Sequence, residues 1–337
     1  MSAVLGVDGG GRKTHAVVVD TTGELLGAGV AEASNWEIVG IDDAIEAIAS
    51  SADQALADAS LGRGDLKAAV LGLAGIDWPS DEVRLTGRIQ ALGFGGQRRL
   101  LNDAFVALRA GCPQPWGIVV ISGTGTVAAG RDPAGNEYRT IGLGRVFGDY
   151  GSEFDVSELA VRAVADAFTG RGPSTMLTDL LCARTDVDTT EELLERISRA
   201  DTRLRSPEVA NMAPLVLQAT ESGDLVARQI LEAIGHALGD TAGHVATRLG
   251  MTDLEFTVAL SGGLFRTPNR YLLDELELGA RRSAPKATTS ILTAPPVVGA
   301  ALIALELAGP EVRAGLAPRL AAEISRAIRD AGAVAGG

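Results

Sequence analysis

Residues 3–20 read AVLGVDGGGRKTHAVVVD, and this stretch decides the fold. The apolar run Ala3–Val7 and the β-branched run His15–Asp20 each predict a strand, with the triplet Gly9–Gly11 between them. Glycine permits a tight turn and a close approach of the backbone to a ligand, and successive N–H groups in such a turn bind anions. We therefore expect a β-hairpin whose tip can hold phosphate, with a third strand at Glu24–Val30.

The same pattern returns later in the chain. Gly117–Ile121 predicts a strand, Ser122–Gly125 a glycine loop and Thr126–Gly130 a second strand. Asp20 and Asp132, which begin the turns after the two hairpins, are 112 positions apart. One glycine loop is more often a plain turn than a ligand site. Two such loops at matching points of a repeated pattern favour an internal duplication in which both loops bind ligand.

The remaining segments predict an α/β fold of two lobes, since strands alternate with helices in the first third and helices then dominate. A third glycine pair, Gly262–Gly263, follows a strand at Phe256–Leu260. The other predicted elements are helices at 42–59, 79–92 and 103–111, strands at 68–73 and 99–102, mainly helix over 153–249, and a closing helix at 311–332.

Two familiar nucleotide motifs do not fit the first loop. A Walker A motif needs a second glycine where Arg12 stands, and it opens a helix rather than a strand. A dinucleotide-binding fingerprint also opens a helix. A pair of hairpin phosphate loops in a duplicated α/β unit instead favours a nucleotide held between two lobes.

Composition narrows the possible partners. The 337 residues carry a formal net charge of −13, without the basic cluster that nucleic acid or an anionic membrane surface would need. Cys112 and Cys182 form no pair motif, which predicts a reducing compartment. With no leader pattern at the start and no run of 18 apolar residues, we expect a cytoplasmic protein that binds no membrane.

Six motifs, in this order, resemble the BadF/BadG/BcrA/BcrD-type ATPase family of the actin–hexokinase–Hsp70 superfamily, nearest to its N-acetylglucosamine kinase branch. They are GVDGGGRKT, LNDA, VISGTGTVAAG, GDYGS, ALSGGLF and PPVVGAAL, and together they extend over about residues 3–306. The resemblance implies two ribonuclease-H-like lobes, the actin-like ATPase fold, with ATP and Mg²⁺ in a central cleft. It also implies a homodimer and an amino-sugar substrate. The expected lobes are residues 1–115, with 308–334 as a returning helix, and residues 116–307.

The resemblance carries roles onto individual residues. Asp8 would hold the Mg²⁺ through water, and Asp103 would be the catalytic base. The nucleotide-binding positions would be Gly9, Gly10, Gly11, Arg12, Lys13, Thr14, Ser122, Gly123, Thr124, Gly125, Thr126, Gly262 and Gly263. The sugar-contacting positions would be Asn35, Gly142, Leu143 and Asp149.

Ordinary structural roles remain open for the same residues. Asp103 precedes a predicted helix and could be its N-cap, while Asp8, Asn35 and Asp149 could be turn residues. Trp36 could stack on a sugar or could simply pack.

Three positions depart from the family pattern. Arg12 replaces the usual Thr, Leu143 stands where Trp is common, and Tyr150 stands where Glu is common. The last two changes fall in the expected sugar pocket, so they leave the identity of the sugar open.

The leading functional hypothesis is an ATP-dependent kinase of N-acetylglucosamine or a related hexosamine. One alternative is an ATPase of the dehydratase-activator type, which would need cysteines for an iron–sulfur cluster; Cys112 and Cys182 do not have that branch's glycine-flanked setting. The other is a non-catalytic ATP-binding sensor, which would be expected to lose Asp8 or Asp103.

Overall fold

A computed structural model describes residues 2–199, 212–309 and 315–335. These residues fall into two compact units, which divide the chain after residue 119 and after residue 291: the first unit contains the described residues before 120 and after 291, and the second contains those between. The strands are β1 Ala3–Gly9, β2 Thr14–Asp20, β3 Leu25–Ala31, β4 Leu66–Leu73, β5 Gln97–Asn102, β6 Gly117–Ser122, β7 Thr126–Arg131, β8 Glu137–Arg139, β9 Thr257–Ser261 and β10 Thr288–Ile291. The helices are α1 Trp36–Val39, α2 Ile41–Asp58, α3 Pro79–Ala91, α4 Asp103–Gly111, α5 Glu153–Phe168, α6 Leu177–Thr185, α7 Thr190–Arg199, α8 Ala213–Glu221, α9 Leu225–Arg248, α10 Arg270–Ser283, α11 Val297–Ala308 and α12 Leu316–Ala335.

The first unit is built on a five-stranded sheet in the order β3-β2-β1-β4-β5. β1 pairs with β2 antiparallel and with β4 parallel, and β4 pairs with β5 parallel. The central strands are Val- and Leu-rich and buried on both faces, as strands covered on both sides require. Because β1, β4 and β5 are parallel, their carboxyl ends lie at one edge of the sheet.

Helices cover both faces of this sheet. The core on one face includes Ile48 of α2 and Leu85 of α3, while the core on the other includes Val298 of α11 and Leu320 of α12. Arg109 of α4 donates from Nε to Glu306 of α11 over 2.8 Å.

Helix α11 approaches β1 closely. A Cβ atom added to Gly6 would lie 2.5 Å from the Ala301 nitrogen, so a side chain at residue 6 would push the helix away.

The boundary between the two units differs from the one expected from the sequence. The sequence assigned residues 116–307 to the second lobe, whereas residues 292–307 pack in the first unit of the structure.

The second sheet repeats the plan of the first. Its order is β10-β9-β6-β7-β8, so an antiparallel hairpin with a third strand again lies beside two further strands. The α/β architecture confirms the predicted fold class. The matching strand order of the two sheets agrees with the predicted internal duplication.

The repeat extends to the turns after the hairpins. Asp20 N–H donates to the Glu24 carbonyl at 2.9 Å, and Asp132 N–H donates to the Asn136 carbonyl at 3.0 Å. In both turns the aspartate Oδ1 accepts a 2.8 Å bond from the backbone N–H four residues later.

Candidate functional site

The first glycine loop is a four-residue turn at the tip of the β1–β2 hairpin. Gly9 pairs with Thr14 as the last rung, and Gly10 N–H donates to the Lys13 carbonyl at 3.1 Å. Among the described residues, the N–H groups of Gly11 and Arg12 donate to no carbonyl, and both residues are exposed. Two neighbouring unpaired N–H groups at an exposed tip suit an anion.

Thr14 anchors this hairpin from inside the protein. Its buried hydroxyl lies 2.6 Å from the Glu32 carbonyl and 2.8 Å from Ser34 Oγ. A Cβ atom on Gly9 would collide with the same Ser34 side chain, so residue 9 must be glycine for this packing. The sequence predicts that Thr14 contacts phosphate. In the structure, the Thr14 hydroxyl is instead hydrogen-bonded to Glu32 and Ser34 within the first unit.

Arg12 and Lys13 differ in their surroundings. Lys13 Nζ lies 3.8 Å from Glu32, whereas Arg12 has no ion pair among the described residues. The guanidinium of Arg12 is therefore available to a phosphate at the loop tip.

Asp8 lies one residue before the end of β1, opposite His15 of β2. Its Oδ2 atom is 4.0 Å from His15 Nδ1, a buried nitrogen with no hydrogen-bond partner among the described residues. The described residues contain no cluster of three or more His, Cys, Asp or Glu side chains that could hold a metal by themselves. Mg²⁺ is commonly bound by one or two carboxylates with substrate phosphates and waters, and a single carboxylate beside unpaired N–H groups fits that arrangement.

Asp103 is not the cap of its helix. The preceding residue, Asn102, caps α4 by accepting a 3.0 Å bond from Ala104 N–H, and its amide donates to the Ile76 carbonyl at 3.1 Å. Asp103 is the first helical residue and is half-buried. The structure thus gives the capping role, which the sequence left open for Asp103, to its neighbour.

Register brings Asp8 and Asp103 to the same sheet edge. Asp8 pairs with Gly72 of β4, and Gly72 pairs with Leu101 of β5. Asp103 follows two residues later, two strands across, and with neighbouring strands ~4.8 Å apart the lateral separation is about 10 Å. Both carboxylates therefore belong to the carboxyl edge of the first sheet.

Asn35 lies beside this edge and caps α1. Its Oδ1 accepts a 3.0 Å bond from Glu37 N–H, and its backbone N–H donates to the Gly10 carbonyl at 3.3 Å. Trp36 donates from its indole to the Gly75 carbonyl at 2.6 Å, and Arg84 stacks 5.0 Å from the ring centre. These contacts explain Trp36 by packing and fix Asn35 next to the first loop.

The second glycine loop lies at the β6–β7 hairpin. Gly123 N–H donates to the Gly125 carbonyl at 2.9 Å, and the N–H groups of Thr124 and Gly125 donate to no carbonyl among the described residues. Ser122 Oγ bonds the Gly151 carbonyl at 2.6 Å. The buried Thr126 hydroxyl has no partner in the described part of the chain, which is the kind of orphaned group that a ligand or water satisfies.

Gly262 and Gly263 come together with this second loop. A Cβ atom on Gly262 would lie 2.9 Å from the Ser122 nitrogen, and one on Gly123 would lie 3.8 Å from the Gly263 nitrogen. Gly262 also has φ of 110°, a conformation that favours glycine. Two of the predicted nucleotide segments are therefore in contact within the second unit.

Asp149 organises the predicted sugar-contacting loop. It is 4% exposed, and its Oδ2 accepts bonds from Gly142 N–H at 2.7 Å and Leu143 N–H at 3.2 Å. The structure brings these three residues together, and it gives Asp149 a loop-holding role besides any contact with a ligand.

The segment after Asp149 is held by a second carboxylate. Asp155 Oδ2 accepts bonds of 2.9 Å from the N–H groups of both Gly151 and Ser152, and its Oδ1 accepts a 3.0 Å bond from Arg145. Arg145 also stacks 4.9 Å from the ring centre of Tyr150, and burial raises the pKa of the Tyr150 hydroxyl. Sequence reasoning did not identify Asp155, although Ser152 three residues before an acid is a capping-box signal.

Comparisons with known proteins identify relatives over almost the whole chain. Residues 5–304 match the model of the BadF/BadG/BcrA/BcrD ATPase family. An N-acetylmuramic acid/N-acetylglucosamine kinase of Clostridium acetobutylicum is 29% identical over 90% of this chain and 98% of its own. An N-acetyl-D-glucosamine kinase of Dictyostelium discoideum is also 29% identical, over 89% and 97% respectively.

A solved structure from Chromobacterium violaceum, described as a candidate N-acetylglucosamine kinase, has the same fold. It superposes with a TM-score of 0.66 at 26% identity, over 89% of this chain and 98% of its own. This likeness confirms the actin-like ATPase architecture expected from the sequence. The chain has paired glycine hairpins and an acidic sheet edge, it is similar to two curated sugar kinases, and its residues 5–304 match the family model; it belongs to the BadF/BadG/BcrA/BcrD ATPase family.

Proposed function

We propose that this protein is an ATP-dependent sugar kinase that phosphorylates N-acetylglucosamine or a related hexosamine. Both curated relatives are kinases of N-acetylated amino sugars. The single observation that supports it most is the position of Asp103 at the same sheet edge as Asp8. Asp103 is half-buried, and Asn102 rather than Asp103 caps the helix.

Asp103 acts in this proposal as the general base. Its carboxylate accepts the proton of the sugar hydroxyl as that oxygen attacks the γ-phosphorus. Asn102 fixes the backbone at this point through the Ile76 carbonyl and Ala104 N–H, so the carboxylate is held by a rigid strand-to-helix junction. A positioned base of this kind contributes about 10²–10⁴-fold to the rate.

The two glycine loops bind the nucleotide phosphates in this proposal. Unpaired N–H groups of Gly11, Arg12, Thr124 and Gly125 donate to phosphate oxygens, and Arg12 adds a positive charge. Asp8 would hold Mg²⁺, which neutralises charge on the phosphates when bound.

Asn35 and the loop ordered by Asp149 contact the sugar in this proposal. The exposed Leu143 side chain gives that pocket an aliphatic wall. Because a leucine stacks on a sugar ring less well than an indole, the pocket should discriminate among hexosamines through its polar groups.

The proposed setting is the cytoplasm, with the enzyme as a homodimer. Neither Cys112 nor Cys182 forms a disulfide among the described residues, which suits a reducing compartment. No described helix has the length and apolar character needed to span a bilayer.

The test combines a substrate screen with a variant of the base. ADP release is measured with N-acetylglucosamine, glucosamine, glucose, N-acetylmannosamine and N-acetylmuramic acid. We expect sugar-dependent release that Asp103→Asn lowers by about 10²–10⁴-fold while ADP affinity is retained, because an amide cannot accept the proton. Asp43→Asn is the matched control, since Asp43 is an exposed first-turn aspartate of α2. Near-normal kcat in Asp103→Asn, or no sugar-dependent release with any substrate, contradicts the proposal.

A further inference from the structure

Glu153 is a carboxylate that faces the glycine loops of the second unit. It is the first residue of α5, and its backbone N–H donates to the Gly123 carbonyl at 2.8 Å. A Cβ atom added to Gly263 would lie against its carboxylate, 2.8 Å from Cδ and 3.2 Å from Oε2. The side chain therefore lies over Gly263, where the loops after β6 and β9 meet.

No contact that the structure gives for the Glu153 side chain explains its position. Within the described part of the chain Glu153 has no side-chain hydrogen bond and no ion pair. By contrast, Asp155 accepts from the N–H of the N-cap residue Ser152, and Glu158 lies 2.9 Å from Arg145. A helix N-terminus favours an acidic residue in its first turn, which explains why a charge is tolerated. It does not explain why the side chain turns onto Gly263.

The chemistry of the carboxylate limits what can lie against it. An ionised carboxylate only accepts hydrogen bonds, and phosphate oxygens are acceptors that carry the same charge. In an adenosine phosphate the donors are the two ribose hydroxyls and the 6-amino group. Two adjacent hydroxyls match the two oxygens of one carboxylate, as in dinucleotide sites where an acidic residue takes the ribose 2′-hydroxyl.

We infer that Glu153 accepts hydrogen bonds from the ribose hydroxyls of the bound nucleotide and makes the enzyme selective for ribonucleotides. This inference rests on the proposed function, because it assumes that the glycine loops bind ATP. The near approach of the carboxylate to the Gly263 backbone then has a purpose, since a side chain at residue 263 would displace the ribose acceptor.

Equilibrium binding without sugar tests the inference. Titration calorimetry measures the affinities for ADP, 2′-deoxy-ADP, 3′-deoxy-ADP and inosine diphosphate, all with Mg²⁺. We expect the wild type to prefer ADP over at least one deoxy analogue by about tenfold to a hundredfold, since hydrogen bonds to charged groups are the strong ones. In Glu153→Gln and Glu153→Ala that preference should fall to about threefold or less.

Glu191→Gln is the matched control. Glu191 is an exposed first-turn glutamate of α7 in the same unit, so the same substitution there should leave the preference unchanged. A preference that is unaltered in both Glu153 variants overturns the inference while the proposed function stands. A loss in those variants that follows inosine diphosphate assigns the contact to the 6-amino group and also overturns it. Failure of the wild type to bind ADP at all instead counts against the proposed function.

Discussion

The two glycine hairpins share a backbone design but carry different side chains. In each, a β-strand ends in a glycine turn with two exposed residues whose N–H groups donate to no carbonyl among the described residues, and a third strand follows an aspartate turn. The first loop is charged, with Asp8, Arg12, Lys13 and His15 at or next to it. The second, Ser122–Thr126, carries hydroxyls and no charge. The repeated backbone thus has unpaired N–H groups in both loops, while the side chains differ: those at the first loop are charged and those of the second carry neutral hydroxyls.

The position of Asp8 tests this division most severely. In the second hairpin, Ile121 holds the equivalent place, one residue before the strand ends. We expect Asp8→Ala to lower kcat/KM by about 10³-fold or more, because a metal ion contributes several kcal/mol of charge stabilisation that the carboxylate positions. Ile121→Ala should leave the Mg²⁺ dependence of turnover unchanged. The check is a Mg²⁺ titration of both variants, with circular dichroism to establish that each is folded. A normal Mg²⁺ response in Asp8→Ala would make Asp8 only a turn residue.

A smaller effect distinguishes the two threonines that begin β2 and β7. The Thr14 hydroxyl bonds Glu32 and Ser34, so Thr14→Val should destabilise the fold by about 1–3 kcal/mol. The Thr126 hydroxyl has no partner among the described residues, so Thr126→Val should leave stability unchanged or raised.

The same pair should behave in the opposite way toward nucleotide. We expect Thr126→Val to weaken ADP binding about tenfold, because in our proposal the buried Thr126 hydroxyl, which has no partner among the described residues, donates to a bound phosphate. Thr14→Val should change ADP binding little, since its hydroxyl already bonds within the first unit. Urea unfolding and calorimetry of both variants provide the measurements. Equal losses of stability in the two would show that the hairpins are less different than their hydrogen bonds indicate.

The smallest expected effect concerns what the hairpins share. Burial by itself would raise the pKa of Asp20, but bonds from Glu24, Thr22 and Gly23 hold that pKa below its usual value. Bonding to Asn136 lowers the pKa of Asp132 in the same way. A lowered carboxylate pKa stabilises the fold above the unfolded value, ~3.9, and the gain is lost as the pH falls through the folded pKa.

Asp20→Asn and Asp132→Asn should therefore each lower Tm by about 1 °C at pH 7. The difference from wild type should shrink as the pH is brought below about 4. Differential scanning calorimetry from pH 7 to pH 3 measures both. Unequal shifts in the two variants, or a difference that grows in acid, would break the proposed equivalence of the turns.

The local sequence pattern was sufficient to predict the two glycine hairpins, because the two strands and the turn of each are adjacent in the sequence. The expected helix at 79–92 is found as Pro79–Ala91, and its start is marked by proline in the first turn. The strand Thr288–Ile291 could not be predicted, since its four residues include three small polar ones and give no clear apolar alternation in the sequence. Every residue of the helix Val297–Ala308 except Glu306 is apolar or glycine, so the sequence does not indicate which sheet the helix covers.

Predicting the candidate site was limited by long-range contacts. The residues next to Thr14 in the sequence do not indicate that its hydroxyl is hydrogen-bonded to Glu32 and Ser34. Asn102 and Asp103 are both good caps, and only the structure decides between them. The sequence does not distinguish Glu153, because a glutamate in a first helical turn is common and its contact with Gly263 joins positions more than a hundred residues apart.

The return of α11 to the first unit has a consequence for synthesis on the ribosome. The sheet face that holds Val4, Val19 and Val70 is covered by Val298 and Leu302, which emerge only after all of residues 120–291 have been translated. Until then, the nascent first unit presents an uncovered apolar surface of the kind that aggregates or engages chaperones. The second unit is in effect an insertion into the first, so the N-terminal unit, although translated first, is the last to be completed.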